Sequence, residues 1–589
     1  MSPVEFVAPH ELCATLAAMP VGRGQLVGLA VAVRDHEVLA GLAVGERRVA
    51  VRGPLVAAAL AEADASVRPR WVLWSQQAAA PLVAAGTRVS TSWDVAAVHR
   101  LLFGGWRADV ARVWAILHGL DHRQLPAMGQ LNLLSGDGDG GGDADEPVRP
   151  DGYLRPEWLA GGWSHSAERL AAWADLALRA AALQHERLVA VGPHTGGDPL
   201  FTARSESTAE LLCAELTADG LPIDVAAAEA LIGSMIGPRA ANDAEQAEGR
   251  ARRDHEVLQH LPPGNGIDLR NPADVKSMLR RLGIDVPDTR AWRLEQLRDV
   301  HPAVEALLHW RKAERIATTF GYGWLDAHVG PEGRLRGEWA ASDGAAGRMT
   351  AQAGLHNLPA ELRPVVVAEP GHVFVRADLG QIEPRVLAAV SGDPALAKAT
   401  QDDDLYAPVA ARLGVERAVA KIAVLAAMYG QTSGTAGQAL RGMETGYPVA
   451  MQYLSDAAQA GFDGRELRTY GGRLIRMYDI RDGVDHGAAA AGRGRYARNA
   501  MVQGAAAELF KVWAVTVRAR GGAIDARIVL CLHDELLLHV PVEHADTAVQ
   551  LLHDCLGEAA FRWRPHGPGG EVRFVADVST VRSWADAKA

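Results

Sequence analysis

Three separated stretches in the C-terminal half of the chain carry residues whose types and spacing suit chemistry on phosphate. The first, Asp378-Leu379-Gly380-Gln381-Ile382-Glu383-Pro384-Arg385, follows the β-favouring run Val373-Phe374-Val375-Arg376-Ala377. A carboxylate leaving a buried strand is held in place and has a backbone carbonyl beside it, which suits a hard divalent cation with oxygen ligands. Pro384 suits the first turn of a following helix. Taken alone, a strand-end aspartate is more often the cap of the next helix. The second stretch spaces Arg417, Lys421, Leu425 and Tyr429 four residues apart, with Gly430 after them. Such steps share one slowly drifting helix face. Two cations, an apolar group and a ring on that face suit a nucleoside triphosphate, the cations meeting phosphate and the others base and sugar. A solvated basic turn running into a core stripe is the bland alternative. The third stretch, Cys531-Leu532-His533-Asp534-Glu535-Leu536, sets two adjacent acids between apolar runs. Their repulsion is what a divalent cation relieves, although an exposed hairpin turn would also tolerate it.

Each stretch is only suggestive by itself. Their order and complementary chemistry fit one task, paired metal-binding aspartates facing a triphosphate-binding helix. The elements that must position them come from a long chain: 589 residues exceed what one hydrophobic core supports, so several domains are expected. Hydrophobic residues make up 48% and aromatics only 6%, which predicts many helices built from small residues. A net charge of -11 speaks against a dedicated polyanion-binding module but not against an enzyme whose positive charge lines one cleft. Cys13, Cys213, Cys531 and Cys555 are scattered, without zinc-type spacing or a disulfide framework. The first residues lack a basic segment followed by an apolar run, and no stretch is long and apolar enough to span a bilayer, so a soluble cytoplasmic protein is expected.

The apolar runs Leu26 to Val33 and Arg47 to Val51 flank the polar segment Arg34-Asp35-His36-Glu37 and predict strands joined by a turn in an α/β N-terminal part. From Ser135 to Glu146 the chain is almost all Gly, Asp and Ser, which predicts a mobile loop. Its Asp spacing hints at a calcium loop, but the position where a closing Glu belongs, counted from Asp137, is Val148. Beyond Glu206, Leu211, Leu212, Leu216, Val275, Met278, Leu279 and Leu282 fall at helical spacing and predict core faces. A second strand pair is expected at Ile528 to Leu532 and Leu536 to Val540, interrupted by His533-Asp534-Glu535.

At this point the chain resembles the bacterial DNA polymerase I family, family A. Its first, second and third stretches resemble motifs A, B and C. Trp310-Arg311 through Thr319-Phe320 resembles the end of the thumb, and Gly347-Arg348-Met349-Thr350 with His356-Asn357-Leu358-Pro359 resembles the loop before motif A. The resemblance implies an α+β and α/β multidomain chain, a right-hand polymerase of palm, fingers and thumb preceded by a ribonuclease H-like exonuclease-type domain. The implied boundaries are 1–190 for the exonuclease-like domain with its flexible loop at 135–150, 200–330 for the thumb, 331–400 and 499–589 for the palm, and 401–498 for the fingers. It implies template-directed DNA synthesis in repair or replication, with primer-template DNA and dNTPs as partners. It also implies that Asp378, Asp534 and the Leu379 carbonyl, with Glu535 as a weaker ligand, bind two magnesium ions, manganese being the alternative. One ion would activate the primer 3′-hydroxyl and the other would stabilise the pyrophosphate leaving group. Arg417 and Lys421 would hold the triphosphate, and Lys421 would donate a proton to pyrophosphate. Gln381, Leu425, Tyr429 and His533 would complete the nucleotide site, with Glu383 as the steric gate against a ribose 2′-hydroxyl. Arg348, Asn357, Arg495, Asn499 and Gln503 would contact primer and template. A monomer is expected, and the sequence assigns no protein partner.

Leu425 departs from the family, which presents an aromatic there, so sugar stacking is expected to be weaker. Gly380 and Pro384 also differ from the commoner motif, and the segment before Tyr470 is shorter. In the N-terminal part the implied exonuclease chemistry needs four clustered carboxylates. Around Glu11 to Pro20 no Asp-x-Glu occurs, the next expected acid is Ala79, and the helper tyrosine is Ala171, leaving Asp175. Asp35 and Glu37 have the right spacing but fall in a turn. A structural remnant without proofreading is expected, with no 5′-nuclease region ahead of it and an error-prone repair role for the enzyme. Two competing readings are a phage-type single-subunit RNA polymerase, which Glu383 argues against, and a DNA-binding scaffold, which would have no need of both aspartates and both phosphate cations.

Overall fold

The computed structural model describes residues 3–34, 36–126, 145–262, 266–430, 435–480, 485–564 and 570–588. Most of the loop expected at 135–150, and Asp35, lie outside the described residues. The chain forms two compact units, one of residues 1–219, 338–351 and 371–581 and the other of 220–337, 352–370 and 582–589. The helix Pro199–Asp219 lies in the first unit. Among the described residues no helix is long and apolar enough to cross a membrane. All four cysteines are free thiols.

Two sheets organise the first unit. The N-terminal sheet has six strands in the order Val4–Val7, Arg47–Val51, Glu37–Val44, Leu26–Arg34, Arg70–Leu73 and Ser92–Asp94. The turn at His36 joins Leu26–Arg34 to Glu37–Val44, not to Arg47–Val51, because residues 38–44 are themselves apolar and β-favouring. Helix Ala167–Val191 crosses this sheet closely. A Cβ on Gly28 would lie 2.3 Å from the Ala174 carbonyl oxygen and one on Gly41 would lie 2.1 Å from the Ala171 nitrogen, so only glycine permits that approach. Valines, leucines and tryptophans fill the cores on both faces.

The second sheet runs in the order Arg527–Leu532, Glu535–Pro541, His372–Leu379, Ala576–Val581 and is antiparallel throughout, with a register shift between Ile528 and Leu530. Only His533 and Asp534 form the turn between the first two strands. Glu535, expected in the interruption, is already part of the ladder opposite Asp378. Helix Ala545–Trp563 lies against this sheet, and the long helix His486–Gly521 packs on that helix and on Pro448–Phe462. Small residues let these helices meet: a Cβ on Gly461 would lie 2.5 Å from that of Ala497. The scarcity of aromatics is thus matched by close helix contacts.

The second unit is mainly helical, with Val225–Ile236, Asp243–Leu258, Pro272–Arg281 and Pro302–Thr319 as its main helices. Val275, Met278 and Leu279 are buried in its core, as their spacing predicted, while Leu282 packs at the edge. Arg270 is held by Asp254 and Glu314 and lies over the Trp310 ring.

Candidate active site

Strand pairing brings the acids together. Asp378 faces Glu535 on one neighbouring strand and Asp577 on the other. Two residues earlier on the same strand face, Arg376 is 3% exposed and forms ion pairs with Asp378, with Glu535 at 2.9 Å and with Asp577 at 3.6 Å. Glu535, itself buried, is therefore partnered by a guanidinium. Asp534 reaches the same place from the turn, its carbonyl accepting from Leu379 N–H at 3.0 Å. That turn depends on a left-handed His533, φ 56°. Burial pushes the Asp534 carboxyl up to about 6, and the charge of Asp378 pushes the same way. Two such carboxylates, one made reluctant to ionise by the other, are a donor set that hard divalent cations stabilise.

Gly380 is explained by its surroundings, since a Cβ there would lie 2.8 Å from the Val575 side chain. Gln381 is left-handed at φ 48°, and its side-chain oxygen accepts from Leu405 N–H at 3.1 Å and from Arg385 at 3.3 Å. The buried Arg385 donates to the carbonyls of Gly380, Thr400, Asp402, Asp403 and Arg573. It thereby pins the turn that follows the first carboxylate. Nothing in its sequence context marks it beyond its place in the motif.

A second group forms beside the acids. Glu383 is bound by Arg348 at 2.6 Å and by the Tyr429 hydroxyl at 3.2 Å, and Arg348 also donates to Gln503 at 3.0 and 3.1 Å once the Gln503 amide oxygen is turned inward. Burial beside Glu383 raises the Tyr429 phenol above its ordinary value. Four residues named from sequence thus meet in one network. Asn499, one turn earlier on the helix of Gln503, has its side-chain oxygen buried without a hydrogen-bond partner. Arg495, one turn earlier again, is exposed and packs against Gly430. Asn357 belongs to the second unit, where its carbonyl accepts from Arg315 at 2.5 Å.

Helix Arg417–Tyr429 presents the row read from sequence. Arg417, mostly exposed, is held by Asp404 at 2.5 and 3.1 Å and lies over the Tyr406 ring. Lys421 is exposed, and Leu425 packs against the hydrophobic core of that region. The pairing with Asp404 escaped sequence reading, as did Arg376 and Asp577, because an isolated Asp or Arg carries no periodic signal.

The loop that presents Arg348 rests on a buried polar cluster. Glu206 pairs with Arg473 at 2.7 Å and with Lys511, while Lys511 donates to the Gly347 carbonyl at 2.8 Å and to that of Ala341 at 3.2 Å. Glu508, fully buried nearby, accepts from Thr469 and from Gly471 N–H at 2.9 Å, and burial pushes its carboxyl up to about 7. Its contribution to stability is complete below the unfolded carboxyl value and is lost as pH rises through about 7. Glu508→Gln keeps an acceptor and should flatten the fall in melting temperature between about pH 5 and about pH 8. Identical slopes for both proteins in a pH series of thermal melts would contradict this.

The N-terminal sheet contains a separate cleft of about 570 Å³, lined by Leu29 to Val33, Trp74, Ala78, Asp109, Trp163 and Trp173 among others. Residues 12–17, within the stretch where sequence placed the first acid pair, form a short helix outside this lining, and the cleft's own strand offers Ala30 and Ala32 instead. Asp175 is buried in ion pairs with Arg48 and Arg179. Asp109, the one carboxylate in the lining among the described residues, caps helix Val110–Leu117.

Residues 264–586 match the family model for DNA polymerase family A. The chain is 32% identical over 293 residues to DNA polymerase I of Chloroflexus aurantiacus, covering 45% of this chain and 31% of that protein. It is 28% identical over 382 residues to the thermostable DNA polymerase I of Thermus aquaticus, covering 58% and 44% respectively. The match thus spans less than half the length of each of these relatives. The fold is similar to that of the POL domain of Pol1 from M. smegmatis, solved in complex with DNA primer-template and dNTP, with a TM-score of 0.69, 22% identity and full coverage of both chains.

Proposed function

The chain belongs to DNA polymerase family A, and from that premise we propose that it adds dNTPs to a primer 3′-hydroxyl under the direction of a DNA template. The observation that carries this reading is the convergence of Asp378 and Asp534 beside the network of Glu383, Arg348, Tyr429 and Gln503. A right-hand palm holds the acids, helix Arg417–Tyr429 belongs to the fingers, and the helical second unit supplies the thumb. Asp378, Asp534 and the Leu379 carbonyl would hold two divalent ions, magnesium first and manganese as the alternative, which supply activation of the primer hydroxyl and neutralisation of the leaving pyrophosphate.

The chain's own residues do the remaining work. Arg417 releases Asp404 to grip the triphosphate together with Lys421, which also protonates the departing pyrophosphate. Glu383, fixed between Arg348 and Tyr429, stands where a ribose 2′-hydroxyl would fall. Tyr429 packs at the templating pair, with Leu425 giving a smaller apolar floor than a ring would. Arg348, Gln503 and His533 read the minor-groove side of the primer end, and Arg495, Asn499 and Asn357 hold the strands. Gln381 acts by setting Leu405 and Arg385, and Glu535 acts through Arg376. Among the described residues the N-terminal cleft has no carboxylate cluster of the kind that two-metal hydrolysis needs, which supports a domain that does not proofread and suits gap filling in repair.

The test is extension of a labelled primer-template with magnesium and either dNTPs or rNTPs, followed by incubation without nucleotides. Extension with dNTPs alone and an intact primer in the last reaction are the expected results. Binding without extension would favour the scaffold reading, extension with rNTPs would overturn the role of Glu383, and primer shortening would overturn the loss of proofreading.

A further inference from the structure

We infer that Arg376 is a resident counter-cation that competes with a divalent ion for Asp378 and withdraws toward Asp577 and Ser579 when the ion is bound. The inference rests on the polymerase reading above, since it concerns the ions proposed there. Asp378 commits its Oδ2 to Arg376 Nη2, and the same nitrogen lies 2.9 Å from Glu535 Oε2. An oxygen that accepts from a guanidinium offers less to a cation, because both contacts draw on the same lone pairs. Asp378, Asp534, Glu535 and Asp577 crowd one corner of the sheet, and a fixed positive charge among them offsets part of their repulsion without any ion.

The neighbouring strand supplies the second position. Ala576–Val581 sets Asp577 opposite Asp378 and Ser579 opposite Arg376, both on the face that Arg376 and Asp378 share. Directly opposed residues of an antiparallel pair have their Cβ atoms about 4.5–5.5 Å apart, within reach of a side chain as long as arginine. The Asp577 carboxylate is 84% exposed and lies 3.6 Å from Arg376 Nη1, longer than a strong charge-assisted hydrogen bond. The Ser579 hydroxyl oxygen is buried and has no hydrogen-bond partner among the described residues. Leaving such a group unpaired is costly, so an acceptor stands ready beside the guanidinium.

The exchange is small. Arg376 Nε donates to Glu535 Oε2 at 2.9 Å, a contact that serves as the pivot while the far end of the guanidinium leaves Asp378. Arg376 is 3% exposed, so its donors must find protein acceptors rather than water, and Asp577 and Ser579 provide them. In the first position the acids are held apart from one another, and in the second Asp378 is released to the ion. Arg376 is thus a positioning residue whose charge lowers the affinity of the cluster for a lone divalent cation.

The test titrates Mn2+ into the full chain without nucleotide, the free ion being counted by electron paramagnetic resonance. Arg376→Met should bind Mn2+ roughly tenfold more tightly than the wild type, since a unit charge close to the ion is removed. Arg376→Lys keeps the charge and should bind like the wild type. Ser579→Ala changes no charge and should weaken binding about fivefold, the worth of one hydrogen bond. Loss of structure weakens ion binding, so tightening cannot come from a misfolded variant. Because Arg376→Met also loses stability, Glu535→Gln with and without Arg376→Met repeats the comparison where no buried charge is orphaned. Equal or weaker binding on removing Arg376 from the Glu535→Gln background, equal tightening by Arg376→Lys and Arg376→Met, or unchanged binding in Ser579→Ala would overturn the inference. Primer extension by the wild type reports on the polymerase reading by itself. Tightened binding in Arg376→Met with no extension by the wild type overturns that reading, not the counter-cation.

Discussion

Asp534→Ala is expected to abolish nucleotide addition while primer-template affinity stays close to that of the wild type. Asp534 lies in the two-residue turn beside Leu379 and shares its surroundings with Asp378, and under the proposed function it holds cations rather than DNA. Metal stabilisation of transition-state charge is worth several kcal/mol, and its loss corresponds to a fall on the order of 10³-fold or more in rate. Single-turnover extension in parallel with equilibrium DNA binding measures both quantities. The variant should fold, because it removes a half-buried carboxyl whose ionisation the fold disfavours. Activity within tenfold of the wild type would sink the assignment of the metal site, and parallel loss of binding and activity would point to a structural role.

Arg376→Met should be the most damaging substitution to stability near the site. The side chain is buried under Asp378, Glu535 and Asp577, and its removal leaves Glu535, equally buried, without its cation. Breaking a buried pair from one side costs about 3–5 kcal/mol, since the remaining charge is uncompensated. Denaturant unfolding should show this loss, and adding Glu535→Gln should recover a substantial part of it by removing the orphaned charge. A single variant as stable as the wild type would show that solvent reaches the acids and that Arg376 does not organise them. Any surviving activity should fall as well, because Asp378 would lose the partner that orients it.

How much of this was legible in the sequence differs from residue to residue. The strand ending in Asp378 and the helix bearing Arg417, Lys421, Leu425 and Tyr429 were readable because apolar runs and four-residue spacing are local properties. Val275, Met278 and Leu279 were readable as core for the same reason. Glu535 was misplaced by one element: a pair of acids reads as a turn, whereas the ladder opposite Asp378 claims the second of them. In the N-terminal part, a hairpin partner was skipped because two apolar strands with a short polar turn give no signal of which run pairs with which. The sheet puts Ala30 and Ala32 on the cleft, while residues 12–17 form a short helix outside its lining.

The sequence by itself determined the chemistry available, because side-chain identity and short-range periodicity are enough to say which groups could hold a cation, a phosphate or a base. Only the tertiary structure decided which of them meet. Arg348 and Glu383 are 35 positions apart, Arg376 and Glu535 are 159 apart, and Arg473 and Ser342 beneath the Arg348 loop are 131 apart. Contacts at such separations follow from strand register and from how closely small-residue helices pack, since a one-residue slip in a strand turns every side chain to the opposite face.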